Sequence, residues 1–232
     1  MIRDVVVTIP AADEQDEIAG CLRSVERAIS ELHDRTSVRG HVVVALDDCR
    51  DGTAEVVAGF ERVVAVTCAA RRVGSARRRA ATEALQRWGP SEHTCLVSTD
   101  ADCRVPADWL TEMITLLEQG VDVVLGTVRP APGLTATVEH AWYAAHGLGN
   151  GHTHIHGANM AMSGSAYLRV GGWADLAAHE DVDFVQRAVA SGLVVARSGT
   201  APVRTSSRLV GRVPEGFASF LRALHDDLPA VS

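Results

Sequence analysis

At 232 residues and 47% hydrophobic content, the chain holds enough apolar material to fill the core of an α/β domain, which excludes intrinsic disorder. A formal net charge of −7 argues against nucleic acid as the main partner, because phosphate backbones select basic surfaces. No apolar run reaches the roughly eighteen residues of a membrane span. Met1-Ile2-Arg3-Asp4 leads straight into a strand-like segment, so a soluble, cytoplasmic protein is expected.

The first half alternates strands and helices. Val5–Ile9 is a continuous β-branched run closed by Pro10, the pattern of a buried parallel strand. Ile18, Leu22, Val25, Ile29 and Leu32 recur at helical spacing and predict a helix over about 15–32. Val42–Leu46 is a second strand ending at Asp47-Asp48, and Asp51-Gly52-Thr53 a turn and helix start. A third strand over Val63–Thr67 precedes an Ala/Arg-rich helix from about Gly74 to Trp88. Cys95-Leu96-Val97 is a fourth strand, Pro106 suits the first turn of a helix to about Gln119, and Val121–Gly126 is a fifth strand. This alternation implies a doubly wound, mostly parallel sheet with helices on both faces.

The second half is less regular. Helices are expected over about 135–146, Ser163–Arg169, about Glu180–Ala190 and Pro214–Leu224, with strands over His154–Met162 and near Leu193–Ala196. Five cysteines lack a CxxC pair, so reduced thiols packed as small hydrophobes are expected, Cys49 and Cys103 lying closest to acidic loops.

Chemistry concentrates in Ser98-Thr99-Asp100-Ala101-Asp102-Cys103, where an apolar strand delivers two carboxylates to the sheet's carboxyl edge, the usual ligand edge of open α/β sheets. In extended backbone Asp100 and Asp102 point to one side. At roughly 4 Å they repel by about 4 kcal/mol for an effective dielectric of about 20. A hard divalent cation shared with phosphate oxygens removes that cost. A solvated acidic turn before the Pro106 helix is the alternative from the residues alone. Asp47-Asp48 occupies a matching place after its strand, suited either to base or ribose recognition or to turn chemistry before Gly52. Glu180-Asp181 opens a helix, where acids suit the dipole and one could also serve as a general base. Arg71, Arg72, Arg77, Arg78 and Arg79 surround Val73-Gly74-Ser75-Ala76, a small-residue helix start that could leave amides open to a phosphate. Neither a Walker loop nor GxGxxG is present. His152, His154 and His156 alternate and read as pocket lining in preference to a zinc site.

Taken in order, these pieces resemble family 2 glycosyltransferases of the GT-A fold over nearly the whole chain. The matching segments are Val5–Glu14, VVVALDDCRDGT (42–53), VGSARRRA (73–80), TDADCRVPADWL (99–110), GANMAMSGSAYLRVGGW (157–173) and HEDVDFVQR (179–187). The resemblance implies one GT-A-like domain over 1–232, with about 1–128 binding a nucleotide-sugar and about 129–232 holding the acceptor and base. Pro10 and Glu14 would belong to the donor pocket, Asp48 would contact the nucleobase, and Asp100 the ribose. Asp102, with Asp100, would hold Mg²⁺ or Mn²⁺, and Arg77 would assist at the diphosphate. Asp181 would be the base, oriented by Glu180, and transfer would invert the anomeric carbon. The acceptor would be a small molecule, a glycan or a lipid-linked molecule, met by a protein that is cytoplasmic or peripheral to a membrane. A nucleotidyltransferase and a non-catalytic nucleotide-binding relative are the alternatives. Cys49-Arg50 departs from the usual glycine/serine turn and Arg78 stands where asparagine is common. After Asp181 the only histidine is His225, and Arg204–Arg208 reads as a mobile basic segment able to close over the diphosphate.

Overall fold

The computed structural model describes residues 1–206. The expected helix at 214–224, together with His225, Ser207 and Arg208, lies outside the described residues. In chain order the elements are β1 Asp4–Ala11, α1 Ile18–Arg35, β2 Arg39–Asp47, α2 Thr53–Ala58, β3 Val63–Cys68, α3 Val73–Trp88, β4 Thr94–Ser98 and β5 Cys103–Arg104. They continue with α4 Trp109–Glu118, β6 Val123–Pro130, α5 Ala136–Ala145, β7 Met160–Ser163, α6 Gly164–Arg169, α7 Glu180–Ala190 and β8 Val195–Thr205.

The strands form one sheet in the order β3-β2-β1-β4-β7-β6-β8-β5. β7 and β5 run against the other six. Apolar alternation explains why both faces are covered. Val5, Val7 and Ile9 of β1 enter one core with α1 and α4, whereas Val6 enters a second core with α3 and α7. Val42 and Val44 against Val43 and Ala45 of β2 divide in the same way. On the second face α3 presents Ala76, Ala80, Ala81 and Ala84, all buried, and these small side chains let the helix lie close to β1 and β2. The α/β class and helix-covered sheet expected from the sequence are therefore observed.

Three departures follow from long-range pairing. His154–Met162 is not one strand: pairing begins only at Met160, and residues 152–156 are irregular. The two-residue β5 exists because Cys103–Arg104 meets Thr205–Arg204 antiparallel. β8 extends to Thr205, past the expected end at Ala196, because its pairing with β6 shifts register between Gly126 and Val128 and then resumes at Val203. Pro202 falls in that shifted stretch, where a missing N–H costs no ladder bond. Arg204 and Thr205 are thus strand residues held on both sides, which corrects the reading of a mobile segment starting there.

One buried side chain pins this region. Asn159 Oδ1 accepts from Trp109 Nε1 at 2.8 Å, while Nδ2 donates to the carbonyls of Thr127 at 2.7 Å and Ala201 at 3.0 Å. It joins α4, β6 and β8 ahead of β7, and a Cβ on Gly126 would lie 2.3 Å from its amide. Asn159→Ala should cost about 3 kcal/mol, since it strands several buried polar groups. Urea unfolding measures this directly, and an unchanged midpoint would show that the network carries little stability.

Candidate active site

The site is built on Arg77. Its place on the alanine-lined face of α3 sends the guanidinium under the sheet's carboxyl edge, where its side chain is 3% exposed. Nε donates to Glu180 Oε1 at 2.8 Å, Nη1 to Ser98 Oγ, and Nη2 to Asp100 Oδ1 at 2.6 Å. Trp173 faces the guanidinium at 5.7 Å from the ring centroid. Burial opposes the charge, but Asp100 and then Glu180 outweigh it and hold the Arg77 pKa above its ordinary value. Burial pushes the Glu180 carboxyl up, against the pull of Arg77. Asp181 is beside it: Oδ2 accepts the Gly157 N–H at 2.7 Å and Oδ1 its neighbour Val182 N–H at 2.8 Å. A Cβ at Gly157 would lie 2.7 Å from Arg77 Nη2, so glycine is what lets this loop cross the guanidinium. The structure therefore brings Asp100, Arg77, Glu180 and Asp181 together, from three separate motifs.

At the end of β4, the Cys103 N–H donates to the Asp100 carbonyl and closes a tight turn. One oxygen each from Asp100 and Asp102 and the Cys103 sulfur all lie within 4.8 Å of one another. Among the described residues this is the group whose ligand atoms gather closely enough for a metal. Two carboxylates at a solvent-facing turn suit a hard cation that also takes phosphate oxygens. The thiol is buried, its pKa pushed well up by that burial, so Cys103 packs as a small hydrophobe, as the sequence leads one to expect.

The second strand's aspartates divide. Asp47 is buried and accepts the N–H groups of Ala70, Arg71 and Arg72, at 2.8, 2.9 and 3.1 Å, which shapes the loop before α3. Asp48 faces outward, bonded to Arg71 Nε at 2.6 Å and Arg50 Nη2 at 3.0 Å. Arg71, then Arg50, holds its carboxyl below the usual range. Asp13, which the sequence reading did not single out, accepts from the Arg50 N–H at 2.6 Å and pairs with Arg71 at 3.5 Å. Pro10 sits in β1 opposite Ala45. Glu14 is buried at the turn into α1: its N–H donates to Thr53 Oγ1, and its carbonyl accepts from Glu17 and Ile18.

The start of α3 is not an open anion cradle. The Gly74 N–H donates to the Leu176 carbonyl, and a Cβ there would lie 2.1 Å from the Ala174 carbonyl oxygen. Arg78 is equally committed, Nε donating to the Trp173 carbonyl at 2.6 Å. The histidines form a row of rings: His146 on His154 at 5.0 Å, with His152 and His156 each 5.8 Å from His154. Burial lowers the pKa of all three of His152, His154 and His156, that of His156 to about 4. At neutral pH all three are therefore neutral rings on an irregular loop.

The model of the glycosyl transferase family 2 matches residues 6–169, and the chain belongs to that family. The matched span carries Asp48, Arg77, Asp100 and Asp102 and stops short of Glu180. Among solved structures, residues 1–349 of S. aureus TarS in complex with UDP-GlcNAc superpose with a TM-score of 0.68 at 14% identity, covering 97% of this chain and 68% of that one. The mannosyltransferase PcManGT from Pyrobaculum calidifontis, in complex with GDP-Man and Mn²⁺, gives 0.63 at 19% identity over 97% of this chain and 61% of that one. Glucosyl-3-phosphoglycerate synthase from Mycobacterium tuberculosis gives 0.55 at 18% identity over 88% and 70%. At such identities the likeness is one of fold, and the fold is GT-A. No curated protein sequence matches.

Two outcomes follow from these side chains. Replacing Arg77 by Met should destabilise the protein by about 3–5 kcal/mol, because two buried or half-buried carboxylates lose their counter-charge; chemical denaturation reads it. His156 takes a proton near pH 6.5 when unfolded but only near pH 4 when folded. Its contribution to stability is therefore complete above pH 6.5 and lost as pH falls toward 4. The melting temperature should drop across that window and drop less in His156→Gln.

Proposed function

We propose that the protein is a metal-dependent, inverting glycosyltransferase that moves a sugar from a nucleotide-sugar to a hydroxyl of an acceptor. The observation that carries this reading is the single buried guanidinium of Arg77 joining Asp100 to Glu180, beside Asp181. A donor-side turn and a base-side helix held on one cation form a site in which two substrates can meet.

Asp48 would contact the base of the nucleotide, and Asp100 would meet its ribose. Asp102 and Asp100 would hold Mg²⁺ or Mn²⁺, which when bound offsets charge on the departing nucleoside diphosphate. Arg77 acts as a positioning residue, since its nitrogens are spent on Glu180, Ser98 and Asp100. Asp181 is fixed by two backbone amides, and each carboxylate oxygen keeps a further lone pair for a proton. The acceptor oxygen forms its bond to the anomeric carbon as the bond to the β-phosphate oxygen breaks. The hydroxyl proton passes to Asp181, and the electron pair leaves with the nucleoside diphosphate. Attack from the face opposite the leaving group gives inversion in one displacement.

Donor turnover should be measured with UDP-, GDP- and dTDP-sugars, with Mn²⁺ and with a chelator. Turnover is expected only with metal, lost in Asp102→Ala, and reduced about 10³-fold in Asp181→Asn with donor affinity kept, as removal of a general base predicts. Full activity in chelator or in Asp102→Ala overturns the metal role. Pyrophosphate release from a nucleoside triphosphate would instead make the protein a nucleotidyltransferase.

A further inference from the structure

β6, β8 and β5 end the sheet, and their register sets three arginines side by side. Arg104 lies opposite Arg204, and Arg204 opposite Arg129. They alternate with Cys103, Val203 and Val128, which are buried in the core. Like charges directly opposite one another destabilise a sheet. Only Arg104 is compensated, its Nη2 lying 2.7 Å from Glu17 Oε2. Arg204 is exposed, Arg129 is half-buried, and neither has a carboxylate partner among the described residues. The Arg129 Nε is buried without any hydrogen-bond partner. Acids outnumber lysine plus arginine 29 to 22 in this chain, so the missing counter-charge does not reflect a shortage of carboxylates.

We propose that Arg129 and Arg204 bind a phosphate group carried by the acceptor. β6 and β8 run in the same direction as β1, β2 and β4, so both arginines lie at the carboxyl edge that also bears Asp48 and Asp100. Arg104 follows Asp102 by two residues, and Cys103 pairs with Thr205, so the arginine strip adjoins the metal turn. Planar guanidinium forks match phosphate oxygens in pairs, and a phosphate supplies the charge that this row lacks. Use of the strip by an acceptor rests on the transferase reading; phosphate binding by it does not. The phosphate can belong to a soluble phosphomonoester or to a phospholipid headgroup.

The two sources are separated by titrating the full chain, in metal-free buffer of low ionic strength, with inorganic phosphate and glycerol 3-phosphate by calorimetry, and by co-sedimentation with phosphatidylglycerol or phosphatidylcholine vesicles. Binding is expected to weaken at least tenfold in Arg204→Gln and to vanish in Arg129→Gln/Arg204→Gln, while the exposed α1 change Arg23→Gln leaves it intact. Arg204→Gln should melt no lower than the wild type, since it relieves like-charge repulsion, so its loss of binding cannot come from unfolding. Glycerol 3-phosphate binding without vesicle binding assigns a soluble acceptor, and arginine-dependent binding to phosphatidylglycerol alone assigns a lipid. No binding of any probe by the wild type, equal binding by wild type and double variant, or equal loss in Arg23→Gln overturns the proposal. Arginine-dependent binding in a protein that turns over no nucleotide-sugar would leave the anion site standing and remove the transferase reading alone.

Discussion

A charged guanidinium removed from water is tolerated only where protein acceptors replace its solvent, and this requirement organises the carboxyl edge of the sheet. Arg77 finds those acceptors in Ser98, Asp100 and Glu180, which come from the end of β4, the turn after it and the start of α7. The first two are neighbours in the chain, whereas the start of α7 is far along it. Because the cation needs all of them, the turn that carries Asp100 and Asp102 and the helix that carries Glu180 and Asp181 are fixed relative to each other. The carboxylates gain in turn: Glu180 is 4% exposed, and its negative charge is sustainable there because Arg77 is beside it.

Backbone strain falls at the same place. Among the described residues, four non-glycine positions have left-handed backbone: Asp13, Asp48, Arg71 and His179. The first three bond to one another through the Asp48–Arg71 and Asp13–Arg71 pairs, and the fourth immediately precedes Glu180. Such conformations cost of order 1 kcal/mol each and persist where surrounding contacts over-determine them. Here the buttress is visible in Asp47, whose buried carboxylate collects three amides of the 70–72 loop and holds Arg71 in place. The two strained ends bracket the span between base recognition and proton transfer in the proposed reaction.

What the sequence made legible was local. Val5–Ile9, Val42–Leu46 and the helix beginning near Ile18 announce themselves through apolar period, and the acidic residues that end the strands could be placed on one edge from direction alone. Information carried by partners far along the chain was not legible. Cys103–Arg104 is too short to show any period, and it is a strand only because Thr205 lies opposite. Alternating histidines at 152, 154 and 156 mimic a strand, yet that segment has no ladder partner among the described residues and its rings stack on one another instead. The small residues at the start of α3 suggested an anion cradle, but they serve a tighter purpose. Gly74 makes room for the Ala174 carbonyl, so a loop one hundred residues away caps the helix. Asp13 carried no signal of its own, since a carboxylate in a loop after a strand reads as solvated until its arginine partners are placed.

β7 is reversed within an otherwise co-directional neighbourhood, and that reversal matters for the site. β4 and β6 both end at the carboxyl edge, so a strand inserted between them in the same direction would begin at the far edge of the sheet. Running antiparallel, β7 begins at the near edge, with Met160 opposite Ser98 and opposite Leu125. The residues that lead into it therefore arrive at the site: Gly157 donates to Asp181, and Asn159 turns inward to bond Trp109, Thr127 and Ala201. β5 is reversed as well, and it pairs the two residues directly after Asp102 with the end of β8. The reversal of β7 thus delivers to this edge a backbone amide and a side chain that a wholly parallel arrangement would have placed at the opposite end, and the proposed chemistry depends on that delivery.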